Sequence, residues 1–113
     1  LLQLQARLQG AHDEAALAAL DGDIARLGHV GLRLQFLLAA LRDGADAQVE
    51  ARYREAQQIL RRGQVLFAAD LHAQAAQRLA RLGQGDAAAR AEAAASAARQ
   101  ALLAGLPAQA AAP

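Results

Sequence analysis

The stretch "LGHVGLRLQFLLAAL", Leu27 to Leu41, decides how the chain is read. Its leucines recur at helical spacing, yet Gly28 and Gly31 fall inside the helix they imply. The apolar positions Leu17, Leu20, Ile24, Leu27, Gly31, Leu34, Leu38 and Leu41 step alternately by three and four residues. That is the seam of a packed helix, with glycine in one slot. Three accounts of the glycines are available. They can be neutral drift in a long helix, a close approach to a neighbouring helix, or a bend. Placement of Gly31 on the seam selects close packing, and the spacing predicts one continuous helix from Asp13 to Asp43.

Outward from this stretch the same period continues. A short first helix runs from Leu1 to about Gln9 and ends at Gly10, and Asp13 is an N-cap followed by Glu14 in the first turn. Asp43-Gly44 closes the second helix and Asp46 is placed to cap a third. The third is expected from Ala47 to Leu82, with Val49, Tyr53, Ala56, Leu60, Gly63, Phe67, Leu71, Ala75, Leu79 and Leu82 inward. Glu50 and Arg54 are spaced to pair across one turn of it. A fourth, alanine-rich helix opens with Asp86 as cap and stops at Gly105 and Pro107. Connections this short make antiparallel hairpins. The expected fold is therefore all-α: an elongated antiparallel hairpin or bundle of three to four helices. It forms a single domain over residues 1–106 with a disordered tail over 107–113.

Composition supports that class. Of 113 residues, 34 are alanine, and both prolines (Pro107, Pro113) lie near the C-terminal end. Two isoleucines, three valines and no threonine leave little from which to build strands. Net charge is +1, every basic residue is arginine, and no concentrated basic stripe points to nucleic acid. No apolar run is long enough to span a bilayer, and no basic segment before Leu1 suggests a signal peptide. The absence of an initiator methionine suggests a trimmed chain or an excerpt.

Catalytic signals are lacking. Cys, Lys, Thr, Asn and Trp are absent, and Ser96 and Tyr53 stand alone of their kinds. Ser96 lies in "AAASAAR", without the strained turn of a nucleophile elbow. His12, His29 and His72 fall into no metal-ligand spacing, and helix-surface or capping roles suit them. The glycines of "LGQGD" punctuate helices and form no phosphate-binding loop. The expectation is a non-enzymatic protein with no cofactor and no metal.

What remains is binding. A short leucine helix, a turn before "DEAALAALDGDIARL", and then "EAQQILRRGQVLFAADLHAQAAQRLARL" resemble the small helical flagellar export chaperones of type III secretion. That resemblance covers Leu1 to Leu82. It implies a cytoplasmic adaptor that shields an apolar, amphipathic helix of an unassembled filament-junction or cap protein. "LARLGQGDAAARAEAAASAARQALLAGLP" is also similar to one tetratricopeptide repeat, out of register and without a second copy. The alanine cylinder of the fourth helix has little to bury until Leu102, Leu103 and Leu106, which are the candidate partner-binding residues. The alternative is the excised four-helix sensor domain of a bacterial receptor, which the bundle also resembles. That reading makes the domain periplasmic and assigns Arg33, Arg54 and Arg61 to an anionic ligand. Self-assembly into a homo-oligomer is compatible with either.

Overall fold

In the computed structural model, the long helices expected on either side of Gly44 are each broken once, and the breaks set the architecture. The structure describes residues 1–63, 65 and 67–111, and the side chains of these up to residue 104. Among them are six α-helices and no strand: α1 (Leu2–Gln9), α2 (Glu14–Leu27), α3 (Val30–Asp43), α4 (Val49–Arg61), α5 (Ala68–Arg81) and α6 (Gly85–Ala111). A short 3-10 turn, Asp46–Gln48, leads into α4. The all-α class holds, but the count of three to four helices does not. Nor does the rod: the principal extents are 47 × 36 × 23 Å.

The first break answers the puzzle of the two glycines. Gly28 ends α2 in the left-handed region at φ +70°, a conformation that glycine adopts without the Cβ penalty. His29 then starts α3: its Nδ1 accepts a hydrogen bond from Leu32 N–H at 3.0 Å, satisfying an orphan donor of the first turn. Gly31 is not the site of a close helix approach. A Cβ there would meet no other helix; it would meet the His29 ring, at 3.2 Å. The glycine leaves room for the histidine to cap.

The second break separates α4 from α5. Gly63 has φ +99° and Phe67 has φ +62°, the one described non-glycine residue in the left-handed region. Between the two helix pairs, Gly44 is required by contact: a Cβ would lie 2.5 Å from the Ala40 carbonyl oxygen, which already accepts from Gly44 N–H. Two expected caps differ in outcome. Asp13 Oδ1 accepts from Ala16 N–H at 2.8 Å, as expected of an N-cap. Asp46 makes no side-chain cap and accepts from Arg78 of α5, because the 3-10 turn takes over the start of α4.

Packing is centred on α3, which touches α1, α2, α4 and α5. Its Leu32, Leu34, Phe36, Leu37 and Leu41 are all within 1 % of full burial, so it is apolar around most of its circumference. Leu17, Leu20 and Ile24 of α2, Val49 and Ala56 of α4, and Leu71, Ala75 and Leu79 of α5 close around it. The helix α6 stands apart, packed on α5 and on no other described helix. It is assigned through Ala111, past the stop expected at Gly105 and Pro107, and the expected tail falls in part outside the described residues.

Candidate partner-binding surface

The α5–α6 hairpin positions the leucines singled out from the sequence. Leu71, Ala75, Ala76 and Leu79 form the apolar stripe of α5, and Ala88, Ala91 and Ala95 form the facing stripe of α6. Small side chains let the two helices lie close over this length. Leu102 falls on the same line, continuing the three-four stepping from Ala95 through Ala98. However, α5 has 14 residues and α6 has 27. Counted outward from the turn, the first residue of α5 lies level with about residue 99 of α6. The docking stripe of α6 thus runs on where α5 has ended.

Leu102 and Leu103 are 66 % and 62 % exposed. They therefore do not anchor α6 on α5; the alanine stripe does. The side chain of Leu106 lies outside the described ones. From Gln100 to Pro113 the sequence contains no charged residue.

The alternative anion contacts fare differently. Arg33 is committed internally: its Nε donates to Glu55 Oε2 at 2.5 Å and its Nη1 to Asp21 Oδ1 at 2.7 Å. The hydrogen bond with Glu55 is the largest influence and, against the cost of burial, raises the Arg33 pKa above its ordinary value. Arg52 also donates to Asp21, at 2.8 Å. Burial alone would raise the Asp21 pKa, but hydrogen bonds from Arg33 and Arg52 outweigh it and hold the carboxyl below the usual range. Both guanidinium groups also flank buried Phe36, at 4.8 and 5.2 Å from its ring centre. This network ties α2, α3 and α4 together. Arg54 and Arg61 are exposed and make no ion pair among the described residues, and the expected Glu50–Arg54 pair does not form. A hollow of about 320 Å³ beside Arg33 is lined by Ile24, His29, Val30, Glu55, Ile59 and Arg62, and the carboxylate of Glu55 already neutralises the arginine there.

Two polar contacts were not legible in the sequence. Arg78, 9 % exposed, reaches from α5 to the end of α3, where it donates to the carbonyls of Leu41, Arg42 and Gly44 and to Asp46. It serves as a C-terminal cap supplied by another helix. Tyr53 Oη and His72 Nδ1 lie 2.7 Å apart between α4 and α5. Burial pushes the His72 pKa down and the Tyr53 pKa up, so both are neutral over a wide range. Each is half-buried, and neither lines the hollows beside Phe36, Arg33 or Arg78. No group of three His, Cys, Asp or Glu positioned to hold a metal occurs among the described residues. No described helix is long and apolar enough to cross a membrane.

No protein-family model, no curated protein and no solved structure matches this chain.

Proposed function

We propose that this chain acts by binding rather than catalysis, as a helical adaptor that shields an apolar helix of a protein partner. The export chaperones it resembles act in that manner, and a cytoplasmic setting belongs to the same reading. One observation carries the proposal: the α5-facing stripe of α6 outruns α5 and reaches exposed Leu102, with exposed Leu103 beside it, on an uncharged segment. What covers the first half of that stripe is an amphipathic helix with Leu and Ala inward. A partner helix of the same chemistry fits the second half.

A fluorescently labelled peptide with the sequence of α5, residues 68–81, is the probe. Covering two leucines that are two-thirds exposed is worth about 2 kcal/mol in all, after ordering costs. Anisotropy should therefore report binding that weakens at least about tenfold in the Leu102→Gln/Leu103→Gln variant. The variant's melting temperature should stay unchanged. Equal affinity for both proteins, or no binding to either, would remove the leucines from the function.

A further inference from the structure

Among the described residues, α2 and α4 both pack on α3 and not on each other. Side chains alone close the gap between them at its middle. Asp21 of α2 accepts from Arg33 and Arg52, and Glu55 of α4 accepts from Arg33. Beyond that bridge, toward the α2–α3 break, the gap stays open as the hollow of about 320 Å³ beside Arg33. Such a volume lies at the lower end of small-molecule sites, roughly 300–1,000 Å³. The break itself makes the opening: Gly28 lines the hollow, and a Cβ there would meet nothing within 4 Å.

The hollow is chemically two-sided. Ile24, at 1 % exposure, forms an apolar wall with Val30 and half-buried Ile59. Arg33, Glu55 and Arg62 are its charged groups, and the first two are spent on each other. Both oxygens of Glu55 accept from Arg33, at 2.5 and 2.8 Å. Arg62 is exposed and makes no ion pair among the described residues, so the hollow keeps one positive charge. His29 also lines it; with Nδ1 accepting from Leu32 N–H, its neutral ring carries the proton on Nε2 and offers a donor, not an acceptor.

We propose that this hollow binds a short-chain fatty carboxylate, such as hexanoate or octanoate. The carboxylate sits on the Arg62 guanidinium, whose fork matches it in two parallel hydrogen bonds. The alkyl chain lies on Ile24, Val30 and Ile59. A phosphate monoester is a poorer match, because its second negative charge meets Glu55 with no cation left to neutralise it. The site shares no residue with the exposed end of α6, so it is separate from the adaptor reading.

Hexanoate, octanoate and octylamine are titrated into nitrogen-labelled protein, with amide shifts followed by NMR. The amides of Gly28, Val30, Ile59 and Arg62 should shift saturably with octanoate and not with octylamine. Each methylene from hexanoate to octanoate should tighten binding about twofold, against roughly fourfold for full burial. Arg62→Gln removes an exposed, unpaired charge and should weaken octanoate about tenfold with helicity unchanged. Arg61→Gln, at an exposed arginine that does not line the hollow, should weaken it by less than about twofold. Leu102→Gln/Leu103→Gln should bind octanoate as the wild type does. Absence of saturable shifts, shifts centred on Leu102 and Leu103, or equal binding of octylamine would overturn the proposal. So would affinity independent of chain length, or equal losses in the two arginine variants.

Discussion

Replacing Gly28 by alanine sets the observed break between α2 and α3 against the continuous helix that the leucine spacing predicts, because the two arrangements require opposite signs. Gly28 sits at φ +70° with no atom within 4 Å of where a Cβ would lie, so packing does not enter. An alanine forced into the left-handed region costs about 1–2 kcal/mol. Reduced freedom of the unfolded chain returns about 0.4–1 kcal/mol of that. The net is a loss of about 1 kcal/mol, and with an unfolding entropy near 2.1 cal/mol/K per residue it lowers Tm by about 4 °C. In a continuous helix the same change would stabilise by up to about 1 kcal/mol. Gly22→Ala is the internal control: Gly22 lies within α2, and an added Cβ makes an ordinary contact with Arg26 Nη1 at 3.6 Å. Thermal melts followed at 222 nm should show Gly22→Ala rising and Gly28→Ala falling. If both rise, the α2–α3 break is not the native arrangement, and the account of His29 as a cap falls with it.

Arg78→Leu should cost about 2–4 kcal/mol in urea unfolding, because the carbonyls of Leu41 and Gly44 lose a buried donor; a loss under about 0.5 kcal/mol would show that water replaces the guanidinium freely. Stability should also depend on pH through the Tyr53–His72 pair. Burial lowers the His72 pKa, so the contribution of His72 is present above its unfolded value, about 6.5, and is lost as pH falls through the folded one. Burial raises the Tyr53 pKa, so its contribution is full below about 10 and lost as pH rises through the folded value. Urea midpoints measured on either side of pH 6.5 should fall toward acid in the wild type and fall less in His72→Gln; parallel slopes would refute the assignment.

Much of the fold is legible because it depends on local chemistry. The scarcity of β-branched residues and proline selects helix, Asp13 caps as its type and position require, and Gly10 and Gly44 end helices where the period stops. Most of the seam also holds: Leu17, Leu20, Ile24, Leu34, Leu41, Val49, Ala56, Leu71, Ala75 and Leu79 are buried, Leu38, Tyr53, Leu60, Phe67 and Leu82 are half-buried, and Leu27, at the break before Gly28, is exposed. The exposed leucines at the end of α6 follow from the same pattern, once the length of α5 is known.

What only the tertiary structure decided is where helices break and which charges meet. A three-four period survives a reversal of direction when the apolar side of each piece still faces one core, so the seam runs unbroken through Gly28 and through Gly63. A glycine inside such a pattern can be absorbed at about 1 kcal/mol or used as a left-handed terminus, and burial elsewhere in the molecule outweighs that difference. Here it is settled by α3, whose nearly complete apolar circumference demands neighbours on several sides that a two-helix rod could not supply. The arginines obey the same logic. Nothing in the sequence pairs Arg33, Arg52 or Arg78 with a partner, and only chain reversals bring them to Asp21, Glu55, Phe36 and the end of α3. Local chemistry selects the helix; the burial of α3 selects where it stops.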